Sequence, residues 1–309
     1  MKQTIFTLLL LSTLGLISCR KTQVDKDIKQ YDQEQIEAYI STNGIAGMQR
    51  DLSDGDTTGI YYKIILPGNG VEFKYTDSIS FVYTLKSFDG LFNSLDTISN
   101  HYSGYVGRMT FTPLLSNGLQ LIVRNVLKKG GSIRVLIPSR LAYGAKGAGS
   151  GSSSTVNSKI AGNQCLDYYI HAINDQSAYD DEVIVKYIAA NNLTGYQKVP
   201  SGLYYKINKA GTGTTPITDN TTVSINYVGS LLNGIVFDSY ATADNATGTS
   251  FEVPDMILGV REGTKNYCTT GSNVSFLIPS RLAYERGSTG KIVANSCIRF
   301  DMVVVSTTP

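Results

Sequence analysis

Side chains able to make or break covalent bonds are scarce in this chain. Its 309 residues hold two histidines, His101 and His171, and four cysteines, at positions 19, 165, 268 and 297. No Ser/His/Asp or Cys/His grouping points to nucleophilic catalysis, and ligands this few and scattered argue against a zinc cluster. Neither a metal nor a cofactor is expected. Lys128-Lys129-Gly130-Gly131 reads as a turn with a solvated charge pair, because the P-loop spacing is absent. His101 and His171 read as surface or strand residues. Rings are plentiful instead: Tyr 20, Phe 10, Trp 0. Spaced along strands, such rings usually form core.

Charge excludes more. Lys plus Arg is 27 against 25 for Asp plus Glu, a net +2, which gives no electrostatic footprint for nucleic acid. Charged residues are 17%, below the usual ~25%, and 42% are hydrophobic. Wholesale disorder is therefore excluded. At about 150 residues per domain the length suggests two domains. There is no run of eighteen apolar residues, so no spanning helix is expected.

The chain says nearly the same thing twice. Leu136-Ile137-Pro138-Ser139-Arg140-Leu141-Ala142-Tyr143 recurs letter for letter at Leu277 to Tyr284. Gly59 to Ile64 returns as Gly202 to Ile207, and Asn163-Gln164-Cys165-Leu166 answers to Asn295-Ser296-Cys297-Ile298. Matches in one order with drifting offsets are what a duplicated domain produces, and the period is too long for a solenoid. Cys165 and Cys297 are equivalent positions, which argues against their pairing with each other. An odd number of thiols after Cys19 cannot all pair within one chain, and packed free thiols are the simpler account; export would permit disulfides.

Each copy opens with a helical stripe, Ile36, Tyr39 and Ile40 in the first and Ile184, Tyr187 and Ile188 in the second. Asp32 and Glu34, and Asp180, Asp181 and Glu182, are expected to mark the helix starts. Period-2 alternation marks strands at Ser78 to Tyr83 and Val223 to Val228. Ser132 to Ile137, Asn273 to Ile278, Leu166 to Ile173 and Ile298 to Val305 read as further strands. Leu119 to Leu127 and Arg261 to Tyr267 suggest one short helix per copy. The fold class is thus α+β, an antiparallel sheet wrapped on a helix. Gly144 to Ser154 reads as a flexible inserted loop, and Asn174 to Ala178 as the linker. The expected division is residues 30–174 and 178–309, after a leader at 1–18 and a tether at 19–29.

The leader has a positive start, Met1-Lys2, and an apolar core from Ile5 to Ile17. Leu16-Ile17-Ser18-Cys19 resembles the bacterial lipobox, which implies cleavage before Cys19 and lipid on its thiol. Several acyl chains, at about 0.8 kcal/mol per buried CH₂, would hold the protein to a membrane.

The second copy resembles FKBP-type peptidyl-prolyl cis-trans isomerases from Gly202 to Val305. The motifs are Asn226-Tyr227-Val228-Gly229, Asn233-Gly234-Ile235-Val236-Phe237-Asp238-Ser239, Ile278 to Tyr284, and Ile292-Val293-Ala294-Asn295-Ser296 closing on Ile298-Arg299-Phe300-Asp301. The first copy matches more loosely through Tyr83, Asp89 to Ser94, Ile137 to Gly144 and Ile160 to Tyr168. The resemblance implies two FKBP-like domains, each preceded by an N-terminal helix, in a lipid-anchored protein of the bacterial cell envelope. Its partners would be proline-containing unfolded or extended polypeptides.

The resemblance also assigns a site. In the second copy the cup for proline would be Tyr227, Phe237, Phe251, Met256, Ile257, Val260, Tyr284, Ile292 and Phe300. The Tyr284 hydroxyl and the Ile292 backbone N–H would donate to substrate carbonyls, with Asp238 at the edge. The weaker first-copy set is Tyr83, Phe92, Asn93, Tyr143, Ile160 and Tyr168, with Leu114 and Leu115 aligned approximately. Val260, and Leu119 in the first copy, stand where the family usually has a tryptophan floor, which should make a shallower cup. Asn93 stands in place of the usual aspartate. Val293-Ala294 and Ala161-Gly162 replace the usual Pro-Pro, and Glu285 replaces the glycine kept as Gly144. Three functions are open: an isomerase acting on exported proteins, a non-catalytic peptide-binding or chaperone lipoprotein, and a purely structural lipoprotein with tandem domains. The second copy is expected to be the more active.

Overall fold

The computed structural model describes residues 27–152, 156–241 and 247–309. The leader, Cys19 and the tether as far as residue 26 lie outside the described residues. Helix α1 spans Ile28–Thr42. Strands β1 (Gln49–Arg50), β2 (Tyr61–Leu66), β3 (Asn69–Glu72), β4 (Ser78–Ser87), β5 (Asn93–Ser94) and β6 (His101–Tyr105) follow. Helix α2 covers Asn117–Asn125, capped by the Ser116 hydroxyl accepting from Leu119 N–H, as favourable N-cap chemistry requires. The first half ends with β7 (Lys128–Lys129), β8 (Ser132–Ile137), β9 (Ala148–Gly149), β10 (Lys159–Ile160) and β11 (Leu166–Ala172).

The second half begins with helix α3 (Gln176–Ala190) and the strands β12 (Gln197–Lys198), β13 (Tyr204–Lys209), β14 (Thr222–Leu231), β15 (Val236–Tyr240) and β16 (Thr249–Glu252). Helix α4 (Leu258–Tyr267), β17 (Asn273–Ile278) and β18 (Ile298–Thr308) complete it. The two seven-stranded sheets repeat one another: β1-β2-β8-β11-β4-β5 with β6 on β4, and β12-β13-β17-β18-β14-β15 with β16 on β14. All these ladders are antiparallel. Along β18 the residues alternate buried and half-buried from Ile298 to Val304, the period-2 signature of a strand with one face in the core. The short helices α2 and α4 cover those faces, and Gly118 and Gly259 let them sit close. A Cβ at Gly259 would stand 2.4 Å from Ile278 Cγ2.

Three expectations are corrected. Asp32 and Asp180 do not mark helix starts; they lie a full turn inside α1 and α3, buried. The Asp32 carboxylate accepts from the Ser139 hydroxyl (2.6 Å) and Arg140 N–H (3.2 Å). The Asp180 carboxylate accepts from the Ser280 hydroxyl (2.6 Å) and its N–H (2.8 Å). The repeated serine of the octapeptide is therefore the dock for the leading helix. Asp175, inside the expected linker, is the true cap of α3, accepting from Ala178 N–H at 3.0 Å, so α3 starts at Gln176. The segment expected to be a flexible loop is partly ordered, since β9 pairs with β10.

Cys165, Cys268 and Cys297 are free and buried. Cys165 Sγ donates to the Asp32 carboxylate (3.6 Å) and Cys297 Sγ to the Asp180 carbonyl (3.8 Å), so the equivalent thiols share the dock. His101 opens β6 and His171 lies in β11, so both are strand residues; burial pushes the His101 imidazole down to about 4.

Removing the Asp180 carboxylate strands a buried N–H and hydroxyl, which costs about 1–3 kcal/mol. Urea unfolding of Asp180→Ala should show a loss of that size. Burial raises the Asp180 carboxyl above its ordinary value, so the folded chain binds its proton before the unfolded chain does. Wild type should therefore gain stability relative to Asp180→Asn as pH falls from neutral through that raised value; a constant difference would contradict this.

Candidate functional site

The site of the second half is built where β14 and β18 run side by side. Tyr227 and Phe300 project from these strands toward α4, two residues from Ile225 and Met302 on the same faces. The register sets Gly229 opposite Phe300 on one side and Asp238 of β15 on the other. Gly229 has no side chain to spare: a Cβ there would meet the Phe237 ring at 2.7 Å and the Phe300 ring at 3.1 Å. The bare backbone lets Phe237 fold over the strand and stand edge-on to Phe300 (centroids 5.7 Å, 72°) and Tyr284 (6.5 Å, 88°). Tyr227 meets Phe251 (5.9 Å) and Phe300 (5.8 Å). These are the tilted and edge-to-face distances that aromatic quadrupoles favour.

The rings enclose a hollow of about 140 Å³ lined by Ile225, Tyr227, Asp238, Phe251, Asp255, Met256, Ile257, Val260, Tyr284, Phe300 and Met302. Eight of the expected residues thus line it: Tyr227, Asp238, Phe251, Met256, Ile257, Val260, Tyr284 and Phe300. Phe237 packs against its wall, and Ile292 is buried in the same core. Ile225 and Met302 were missed, although their i±2 spacing from Tyr227 and Phe300 placed them on the same faces. Asp255, on the rim after Pro254, carried no signal. Larger cavities of about 450 and 390 Å³ lie between the two halves, but only the small one is walled by convergent rings.

Polar groups at the rim are few and oriented. The Tyr227 hydroxyl donates to Asp238 Oδ2 at 2.7 Å. Burial, then this bond, raises its pKa. Burial, then the Asp238 charge, raises that of Tyr284. Both hydroxyls remain protonated through the neutral range and can act as donors. The Ile292 N–H is not turned to the hollow: it donates to the Thr289 carbonyl at 2.9 Å. Glu285, next to Tyr284, adopts φ +50° where the first copy has Gly144 at +55°, a left-handed conformation that costs a non-glycine residue energy.

The first half brings its expected residues together but closes over them. Tyr168, Leu119, Ile160, Leu115 and Tyr83 are buried, with Phe92, Leu114 and Tyr143 packed on the same cluster. Leu85 fills the position of Gly229, since it faces Tyr168 as Gly229 faces Phe300. Leu114, at φ +67°, turns its carbonyl in to accept the Tyr168 hydroxyl at 2.7 Å. The Tyr143 hydroxyl is buried without a hydrogen-bond partner. Asn93 does not stand in for Asp238. It pairs with Lys86, and Ser94 faces Leu85, whereas Asp238 itself faces Gly229. This one-residue shift of register turns the side chain elsewhere, and Asn93 Nδ2 donates to the Gly90 carbonyl.

A sequence profile described as FKBP-type peptidyl-prolyl cis-trans isomerase matches residues 213–305. Residues 213–305 are an FKBP-type domain. Among similar proteins is the FKBP-type peptidyl-prolyl cis-trans isomerase FkpA of Buchnera aphidicola, 36% identical over 36% of this chain and 45% of that protein. The probable FKBP-type isomerase FkpA of Neisseria meningitidis is 38% identical over 40% and 44%. The chain spans less than half the length of these relatives. The crystal structure of FkpA from Escherichia coli is 31% identical, covers 44% of this chain and 60% of that one, and superposes with a TM-score of 0.37. The FKBP-type domain carries the open hollow, and the first half repeats its strand order with the hollow shut.

Titrating the full chain with a proline-containing peptide should shift the ring NMR signals of Tyr227, Tyr284 and Phe300 and leave Tyr83 and Tyr168 unmoved. Equal shifts in both halves would contradict the closed first cup.

Proposed function

We infer that this protein is a peptidyl-prolyl cis-trans isomerase whose working site is the hollow of the FKBP-type domain. The observation that carries this is a small, aromatic-walled cup, open to solvent, with protonated phenols and the Asp238 and Asp255 carboxylates at its rim.

Rotation about an X–Pro bond climbs about 18–20 kcal/mol, because the amide loses resonance as it twists. Water favours the planar, dipolar form. A prolyl ring seated against Val260, Phe251 and Phe300 leaves that water behind, so the twisted form is disfavoured less than in solution. The Tyr284 hydroxyl can donate to a flanking carbonyl of the peptide, holding the chain while the bond turns. Asp238 holds the Tyr227 ring in place through their hydrogen bond. No proton is transferred and no bond breaks, which agrees with the scarcity of nucleophiles. Substrates are proline-containing unfolded or extended polypeptides. Lipid on Cys19 would keep the enzyme in the cell envelope, where it would act on exported proteins as they fold.

A second reading, peptide binding with weak or no turnover, is favoured by one observation. The Ile292 N–H is already engaged with Thr289 and would have to leave that bond to orient a substrate.

Phe237→Ala removes two edge-on ring contacts, at about 0.5–1.5 kcal/mol of stability each. With that wall of the cup gone, kcat/KM in a protease-coupled proline-peptide assay should fall by about tenfold through misplacement of the substrate, with cooperative thermal unfolding retained. Tyr284→Phe should also lower it. Wild-type protein that binds unfolded peptide but gives only background isomerisation would establish the second reading. Cys19→Ala should move the protein from the membrane fraction to the soluble fraction of cells; unchanged membrane association would refute the lipid anchor.

A further inference from the structure

Phe237 and Asp238 sit on β15, an edge strand of the sheet. It pairs only with β14, and does so through a register break between Gly229 and Ser230. Most of its residues are exposed, with Val236 and Tyr240 both at 41%. An edge strand with few buried contacts opens at low free-energy cost. Yet the cup needs the Phe237 ring over Gly229 and the Asp238 carboxylate on Tyr227.

The first half reaches across to this strand. The turn from β14 into β15 is tied by Gly234 N–H donating to the Leu231 carbonyl (2.9 Å) and Ile235 N–H donating to Asn233 Oδ1 (3.1 Å). The other end of the same Asn233 amide points out of the FKBP-type domain. Its Nδ2 donates to the Asp96 carboxylate and to Ser99 Oγ (3.0 Å) of the first half. Asp96 is itself fixed, accepting from Ile98 N–H (3.0 Å) and the Ser99 hydroxyl (2.8 Å). Ile98, between them, packs against the cluster formed by α3 and Leu232, and against the core that holds Tyr227 and Phe300. The halves also meet at Ser80, whose hydroxyl donates to Gln176 Oε1 (3.2 Å) and accepts from Asn295 Nδ2 (3.1 Å), and at Tyr179, whose ring meets those of His101 and His171. The 96–99 bridge differs from these in falling on the turn that leads into the cup.

We propose that the 96–99 turn of the first half is a clamp that positions Phe237 and Asp238 in the FKBP-type domain, with Asp96, Ile98, Ser99 and Asn233 as positioning residues. The clamp gives the first half a role that does not need an open cup of its own. The part that concerns catalysis rests on the isomerase reading above; the part that concerns the strand does not.

Two readouts on the full chain test it, amide hydrogen exchange across Val236–Tyr240 and kcat/KM for a proline peptide. Asn233→Ala should speed exchange of that strand by about tenfold, leave Asn273–Ile278 unchanged, and lower kcat/KM by several-fold, since misplacement of about 1 Å can cost as much as 10²-fold. Asn233→Asp sets two carboxylates face to face and should do worse. Combining it with Asp96→Asn restores an amide-carboxylate bond and should recover both readouts, which mere loss of stability would not allow. Unchanged exchange in Asn233→Ala overturns the clamp. Faster exchange with unaltered kcat/KM overturns its positioning role. If wild type shows no isomerisation, the isomerase reading falls alone and the clamp is judged on exchange and its rescue.

Discussion

The contact between the Phe237 ring and the bare backbone of Gly229 is what allows the second half to have a site. A sheet packed on a helix tends to fill every space between them, because voids forfeit dispersion contacts. Here one missing side chain admits a ring from the neighbouring strand. That ring stands on edge against two others, and a hollow remains between them and α4. In the first half a leucine occupies the equivalent place, the edge strand pairs one residue out of step, and the Leu114 carbonyl is drawn in to satisfy Tyr168. The same architecture thus holds an open hollow once and a filled core once.

Both halves keep their leading helices by the same means. A buried aspartate on α1 or α3 receives the hydroxyl of the repeated octapeptide, with a cysteine thiol alongside. Hydrogen bonds to a charged acceptor are stronger than neutral ones, and a buried carboxylate left without them would be costly. The serine of the repeated octapeptide thus serves the docking of a helix in both copies, although the two sites differ.

Much of this could be read from the residues. Strand alternation located β4, β8, β11, β14, β17 and β18, and the offset repeats showed that one plan is used twice. The family likeness brought out the hollow's rings, because motif order carries their three-dimensional neighbourhood. Three things could not be read. Asp180 looked like a helix-start residue, since local preference for acidic residues near an N-terminus is indifferent to which turn they occupy; its partner lies a hundred positions away. Asn93 looked like a substitute for Asp238, since an alignment of letters does not report a register shift between paired strands. The Ile292 N–H looked available, but a loop bridge to Thr289 is a backbone event with no side-chain signature.

The three sequestered thiols carry a consequence for biogenesis. Burial pushes Cys165 and Cys268 up to about 12, and Cys297 well above its ordinary value, so almost none is thiolate at neutral pH, and thiolate is the form that attacks disulfides or electrophiles. Once folded, these three thiols are therefore poor nucleophiles in thiol–disulfide exchange. The hazard is confined to the interval before folding, when the same sulfurs are exposed and can be captured in mixed disulfides.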